Sequence, residues 1–389
     1  MFVHEICGSW MDHPFWKTSF MLESHKDLLT LQKSNIREVW IDPAKGRDVS
    51  QVNASHQNLA ESSEVLVEME AEEISSTPSV PRKATFFDEL DRARRIHVRS
   101  RGVVNSLLAE CRMGLPPNLE EAEGLVEEIS NSVLRNSDAL VSLLHHKPRS
   151  SYPYLHAVSV SALMVALAKQ MDFDASMLRR AGLAGLLLDA GMALIPPEIV
   201  HKQGQLTDEE FATIKTHALL GRDLLFRSGV TDELVLDVCL HHHERADGLG
   251  YPDQLHGEMI SVHAAMGAIC DVYDAVTSER TYHKGWAPNY AIRKMADWQK
   301  GQFDRTAFHA FVRSVGLYPS GTLVRLKSGR LGTVIEQNDR SLLSPVVKVI
   351  FSIKQNARIE PVLVDLGKTD DSILGAEDPK KWALEDMAV

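Results

Sequence analysis

Three consecutive histidines, His241 to His243, end an apolar stretch with helical spacing, and an acidic, glycine-rich loop that closes with Tyr251-Pro252 follows them. Neighbouring imidazoles at the end of a helix can face one cation, and glycines let the backbone approach a ligand closely. The alternative is a solvent-exposed helix end, where the helix dipole favours histidine. The histidines alone support both interpretations equally.

Single polar residues interrupt several other apolar patterns. Asp189 and Asp271 each lie inside a long apolar run, and His156 and His217 lie in segments with helical spacing. A buried carboxylate is costly unless it is paired or bound to a metal. Taken singly, such residues are more often hydrogen-bonded core residues than ligands. The candidate metal ligands are His156, Asp189, His217, His242, His243 and Asp271.

The segment from His242 to Pro252 reads His-His-Glu-Arg-Ala-Asp-Gly-Leu-Gly-Tyr-Pro. It resembles the signature of the HD-GYP family, which comprises bacterial metal-dependent phosphodiesterases that act on cyclic di-GMP. Residues 271–280 are similar to a second motif of that family. Further motifs occur in the order of the family: Ile195-Pro196, Lys202-x-Gly204, Leu206-Thr207-x-Glu209-Glu210 and Lys215-x-His217. The resemblance covers residues 150–320 and implies that six ordered ligand positions form a metal site.

The resemblance implies two adjacent divalent metal ions bridged by Asp189, which would be the catalytic carboxylate. One metal would be bound by Asp189, His217, His242 and His243, and the other by His156, Asp189 and Asp271. Iron or manganese is expected, with nickel or zinc as alternatives, because His and Asp ligands accept all four metals. The implied substrate-binding residues are Asp247, Gly248, Gly250, Tyr251, Pro252, Arg280 and Lys284.

Two residues close to Asp189 depart from the family pattern. Leu188 stands where the family has the histidine of its His-Asp pair, and Met192 stands where it has a lysine that assists at the phosphate. Leucine offers no lone pair to a cation, and methionine offers no positive charge to a phosphate. We therefore expect the site with His217, His242 and His243 to bind metal more tightly than the other site, and hydrolysis to be weak or lost.

Three functions stay open at this point. The first is a cyclic di-GMP signalling protein that binds the dinucleotide at its metal site with weak or lost hydrolysis. The second is an active phosphodiesterase that produces pGpG or GMP. The third is a protein-docking module for diguanylate cyclase domains.

Composition narrows the class of protein. The chain has 389 residues and a formal net charge of −11, which argues against a general nucleic-acid-binding surface. Its most hydrophobic stretch, residues 181–200, contains Asp189 and ends at Pro196-Pro197, so a buried helix is expected there rather than a membrane span. The four cysteines are widely spaced and form no redox or metal motif. The expected location is the cytoplasm.

We expect a mainly α fold: an HD-type helical bundle, a small α+β N-terminal domain and a short β-rich C-terminal extension. The expected domains are an N-terminal domain at 1–52, an acidic flexible linker at 53–83, a helical hairpin at 84–150, the metal-binding domain at 151–320 and the extension at 321–389. The hairpin would pack on the metal-binding domain, with pairing across a homodimer or a solvated hairpin as alternatives. The N-terminal domain resembles the small domain that often precedes HD-GYP domains, and its first strand is expected either to be missing or to lie before Met1.

The pattern of apolar residues predicts individual elements within these domains. In the N-terminal domain, strands are expected at 3–6, 20–22 and 39–41 and a helix at 25–32. The hairpin helices are expected at 85–107 and 119–144. In the extension, strands of an antiparallel sheet are expected at 322–326, 332–335, 346–353 and 362–364.

Overall fold

The structure is a computed structural model. It describes residues 83–145, 152–202, 204–278, 285–298, 301–338 and 341–384, together with the backbone of three N-terminal strands. The chain forms two compact units, Met1–Val80 and Pro81–Val389. The expected finer boundaries at 150 and 320 lie inside the second unit and stay predictions. The helix predicted at 25–32 lies outside the described residues.

In the first unit, three strands form an antiparallel sheet in the order β2-β1-β3. They are β1 (Phe2–Cys7), β2 (Phe20–Met21) and β3 (Glu38–Ile41). Val3 of the central strand pairs with Phe20 on one side and with Ile41 on the other. The three strands predicted for this unit are confirmed.

Helices make up most of the second unit, which confirms the mainly α prediction. They are α1 (Phe86–Arg112), α2 (Leu119–His145), α3 (Tyr152–Gln170), α4 (Ala175–Leu187), α5 (Pro197–Val200), α6 (Asp208–Lys215), α7 (His217–Arg227), α8 (Glu233–His241), α9 (Val262–Thr277), α10 (Pro288–Trp298) and α11 (Arg305–Val315). The central helix is α3, which packs against α2, α4, α9 and α11. Residues 154–168 are all buried, as expected of a helix that is apolar on every side.

The two long helices α1 and α2 form the predicted hairpin. A buried Glu89 joins them, because its carboxylate accepts hydrogen bonds from Arg135 (2.7 and 2.9 Å) and Ser132 (2.8 Å). At Asn136 the backbone of α2 leaves helical geometry (φ −162°, ψ 104°). α2 also packs on α3 and α4, so the hairpin is part of the helical core.

The C-terminal residues form a five-stranded antiparallel sheet in the order β7-β6-β5-β4-β8. Its strands are β4 (Leu323–Leu326), β5 (Arg330–Glu336), β6 (Val346–Ser352), β7 (Ala357–Asp365) and β8 (Ile373–Ala376). The predicted β-rich extension is confirmed, but β8 and the first half of β7 were not predicted. Most of β7 is exposed, so its sequence lacks the alternation that marks a half-buried strand. Ile335 of β5 packs against Phe86 and Leu90 of α1.

The single buried helix expected across residues 181–200 is wrong. The stretch is divided into the end of α4, a 3-10 turn at Ala190–Leu194 and the short α5. Among the described residues, no helix is both long enough and apolar enough to cross a bilayer. The break between α4 and the 3-10 turn places Asp189 at the centre of the candidate site.

Candidate metal centre

Asp189 occupies the break after α4, with a backbone outside the helical region (φ −97°, ψ 14°). A close approach of two backbones positions it. A Cβ atom added to Gly191 would overlap the backbone oxygen of His217 and lie 2.6 Å from the backbone nitrogen of Gly221. Because glycine stands at position 191, the turn packs directly on α7 and brings Asp189 to His217.

Gly191→Ala should disrupt this contact. Because the added methyl group meets backbone atoms, which cannot move aside as a flexible side chain can, we expect a loss of roughly 1–3 kcal/mol in the free energy of unfolding. A Cβ atom at Gly102 of α1 meets nothing within 4 Å, so Gly102→Ala is the matched control. It should stabilise the protein by about 0.5–1 kcal/mol. Chemical denaturation of both variants measures the difference, and equal stabilities would contradict the packing argument.

The structure brings all six candidate ligands together. They lie on α3 (His156), in the break after α4 (Asp189), at the start of α7 (His217), at and after the end of α8 (His242 and His243) and on α9 (Asp271). Their ligand atoms form two groups that share Asp189, and within each group these atoms lie within 4.8 Å of one another. One group is Asp189, His217, His242 and His243, and the other is His156, Asp189 and Asp271.

In the first group, two imidazoles face one carboxylate oxygen. His217 Nε2 lies 3.3 Å and His242 Nε2 lies 3.6 Å from Asp189 Oδ1. The two Nε2 atoms are 3.4 Å apart. Lone pairs that converge at this distance repel each other unless a cation or a proton lies between them, so the arrangement fits a metal ion.

Backbone carbonyl groups fix the orientation of both rings. His217 Nδ1 lies 2.6 Å from the carbonyl oxygen of Ile214, and His242 Nδ1 lies 3.0 Å from that of Cys239. Each Nδ1–H can therefore donate to the backbone, which directs Nε2 at Asp189, where a metal would replace any proton on it. Burial lowers the pKa of His243 to about 3, so that imidazole is neutral at pH 7 and keeps its lone pair.

The second group is centred on His156. Its Nε2 lies 3.1 Å from Asp271 Oδ1 and 3.4 Å from Asp189 Oδ2. Its Nδ1 lies 2.8 Å from Asp274 Oδ2, so Nδ1–H can donate to Asp274 while Nε2 faces the other two carboxylates, where a metal would replace any proton on it. We assigned no role to Asp274 from the sequence. The available signal was its position three residues after Asp271, on the same face of α9.

The carboxylates of the site are held in their charged form. Burial acts to raise the pKa of Asp189, but hydrogen bonds from His156 and His242 outweigh it and hold that pKa well below its usual value. The pKa of Asp271 is also lowered, because the hydrogen bond from His156 outweighs burial. Ionised carboxylates and neutral imidazoles are the forms that bind divalent metals.

Leu188 and Met192, the two departures from the family pattern described above, lie close to Asp189 in sequence. Leu188 ends α4 and is 1% exposed, and its backbone oxygen accepts a hydrogen bond from the Cys239 thiol (3.3 Å). Met192 lies half-buried in the 3-10 turn. The second group therefore keeps three ligands beside an apolar side chain, and the turn carries no cation at position 192.

A buried carboxylate organises the glycine-rich loop after α8. Glu244 is 3% exposed and accepts hydrogen bonds from the backbone N–H groups of Asp253 (2.7 Å) and Leu255 (3.1 Å). A Cβ atom at Gly250 would lie 2.5 Å from the Cα atom of Glu244, so glycine lets the loop fold back on this residue. Glu244 was not assigned a role from the sequence, because an acidic residue in a glycine-rich loop gives no sign of being buried.

Other loop residues hold the loop's own shape. The Asp247 carboxylate pairs with the Arg245 guanidinium (2.6 Å) and accepts a hydrogen bond from the backbone N–H of Leu249 (3.1 Å). Gly248 has a positive φ of 73°, and a Cβ atom there would overlap the ring of His256. Asp247 and Gly248 therefore have structural roles, and substrate contact by them stays a prediction.

Tyr251 connects the loop to the metal ligands. Its ring stacks on the ring of His243, with 4.7 Å between centroids and 26° between planes. Pro252 follows it through a cis peptide bond. The predicted substrate contacts Arg280 and Lys284 lie outside the described residues. Tyr251 is therefore a described substrate-binding candidate in direct contact with a ligand of the first group.

The chain matches two family models. Residues 1–122 match a model described as a domain of unknown function (DUF3391), and residues 137–307 match an HD domain. The HD domain implies a divalent metal site, which agrees with the two ligand groups.

Several relatives carry names that describe an activity. The chain is 46% identical over 390 residues to the cyclic di-GMP phosphodiesterase PA4108 of Pseudomonas aeruginosa, and the match covers 100% of this chain and 92% of that protein. It is 30% identical over 191 residues to the cyclic di-GMP phosphodiesterase response regulator RpfG of Xanthomonas campestris, covering 48% of this chain and 50% of that protein. It is 32% identical over 171 residues to the 3'3'-cGAMP-specific phosphodiesterase 1 of Vibrio cholerae, covering 44% and 39%.

Proposed function

Because the chain belongs to the HD-GYP family, in the form that carries an N-terminal DUF3391 domain, we propose that it binds cyclic di-GMP at a divalent metal held by Asp189, His217, His242 and His243. The supporting observation is the convergence of two imidazole Nε2 atoms, 3.4 Å apart, on one carboxylate. A bound metal would supply a positive charge for a phosphate and a site for hydroxide formation. We propose iron or manganese, with nickel or zinc as alternatives.

We further propose that hydrolysis is slow. Ground-state binding needs shape, a cation and a few hydrogen-bond donors, whereas cleavage also needs charge stabilisation that develops only in the transition state. Leu188 removes one ligand from the second group, and Met192 removes a cation beside the phosphate. Both losses act on the rate more than on the affinity, so the expected protein binds the dinucleotide and turns it over poorly.

An active phosphodiesterase is the second candidate. His156, Asp189 and Asp271 still lie within 4.8 Å of one another, and Asp274 orients His156 at 2.8 Å. Three ligands of this kind support a weaker second metal. Product analysis decides between the two candidates, because an active enzyme converts cyclic di-GMP to pGpG or GMP over many turnovers. A docking role on diguanylate cyclase domains, a homodimer and a cytoplasmic location stay predictions.

Titration calorimetry of the manganese-loaded full chain with cyclic di-GMP tests the binding proposal. Tyr251→Ala should weaken binding by about 10-fold, because stacking on an aromatic ring stabilises a bound base. The metal content should not change. Tyr290→Ala is the matched control, since Tyr290 is 44% exposed on α10 and should not affect binding. Titration with 3'3'-cGAMP tests the choice between dinucleotides. If the loaded protein gives no heat with either ligand, the binding proposal fails and the docking role gains support.

A further inference from the structure

We infer that Lys215 supplies the cation for a ligand phosphate that position 192 lacks. Lys215 ends α6, two residues before His217. Its Nζ atom lies 4.7 Å from the centroid of the Phe211 ring and 5.4 Å from that of the Tyr251 ring. The inference deepens the proposed function, because it assigns a phosphate contact to the same site.

No carboxylate among the residues that the structure describes neutralises the charge of Lys215. Within the described part of the chain it contacts two aromatic faces and makes no ion pair. Lys202, which precedes α6 in sequence, differs in this respect, because its Nζ lies 2.5 Å from Glu210 Oε2. Aromatic rings hold an ammonium group without cancelling its charge. Lys215 is therefore available to an anion, whereas Lys202 is already paired.

Tyr251 places Lys215 beside the metal ligands. One ring contacts both groups, since Tyr251 stacks on His243 at 4.7 Å and lies under the Lys215 ammonium. Lysine carries its charge on a flexible four-carbon chain, so the ammonium can follow a phosphate that is bound at the metal. A phosphate bound at the first ligand group would thus have the Lys215 ammonium as its counter-ion, on the side of that group where Tyr251 lies.

The test uses the metal-loaded full chain and two probes, inorganic phosphate and cyclic di-GMP, by titration calorimetry. Lys215→Met should weaken both interactions by about 10-fold, the effect expected from losing one charge-assisted hydrogen bond. The metal content should stay unchanged. Lys215→Arg should remain within about threefold of the wild type, because it keeps the charge. Lys294→Met is the matched control: its ammonium also lies over a tyrosine ring (5.7 Å to the Tyr290 centroid), but on α10.

The two probes separate this inference from the proposed ligand. If Lys215→Met leaves phosphate affinity unchanged, the inference is wrong even when the dinucleotide binds. If metal is lost together with phosphate affinity, Lys215 supports His217 rather than the ligand, and the inference is also wrong. Phosphate binding that depends on Lys215, without dinucleotide binding, would support the inference and contradict the proposed ligand. Absence of binding by either probe in the wild type would contradict both.

Discussion

His242→Ala should strip the protein of most of its metal, whereas His156→Ala should leave the larger share in place. His242 belongs to the four-ligand group and is 1% exposed, so solvent does not readily replace its lone pair. His156 belongs to the three-ligand group. Loss of a ligand should exceed the roughly 10–100-fold fall in affinity seen when a residue that merely orients a ligand is changed. Metal per chain, measured by elemental analysis after gel filtration, gives the comparison.

His201→Ala is the control for this experiment, because His201 is exposed and belongs to neither ligand group. Its metal content should equal that of the wild type. The expectation assumes that the two ligand groups bind metal with unequal affinity. Two ions per chain that both survive mild chelation would contradict it. Equal metal loss in His242→Ala and His156→Ala would contradict it as well. Metal binding would then depend equally on the four-ligand group and the three-ligand group.

The candidate ligands could be predicted because each has a local signal. Asp189 and Asp271 interrupt apolar runs, and the histidines fall in the order of the family motifs. The contacts that orient them have no such signal. Asp274 is 118 residues from His156 in sequence, and the Lys215 contact with Tyr251 depends on how α6 meets the loop. A pattern read along one segment does not contain contacts that tertiary packing creates.

The break in the helix at Asp189 could not be predicted from the local sequence for the same reason. The sequence of residues 181–200 predicts one buried apolar helix, because a buried helix and a buried tight turn both require apolar side chains. The turn is decided by Gly191, whose missing side chain lets the backbone reach α7. The β8 strand was missed for a related reason: it is partly buried and lies at an edge of the sheet, where alternation is weak.

Leu188→His combined with Met192→Lys should raise cyclic di-GMP hydrolysis by about 10²–10³-fold, the range seen when one group that stabilises transition-state charge is lost or gained. Leu188→His alone should mainly raise the metal content, because position 192 would still carry no lysine to stabilise the charge that develops on the phosphate in the transition state. Chromatography of pGpG and GMP against time measures the rate, and elemental analysis measures the metal. If the double variant folds and binds its full complement of metal without cleaving the dinucleotide, Leu188 and Met192 are not the cause of slow turnover.

Stability measurements with and without metal can show whether a histidine at position 188 binds the metal or is only a polar residue buried in the core. Leu188 is 1% exposed, so Leu188→His should lower the stability of the metal-free protein, because a buried imidazole without a partner is costly. Metal should recover that loss, since a ligand that binds the native state stabilises it in proportion to the logarithm of its concentration. Leu186→His is the control, because Leu186 is also buried (4% exposed) but lies two residues before Leu188, and residues two apart on a helix do not share a face. Thermal unfolding with and without manganese should show metal-dependent recovery for Leu188→His, and Leu186→His should gain no more from metal than the wild type does.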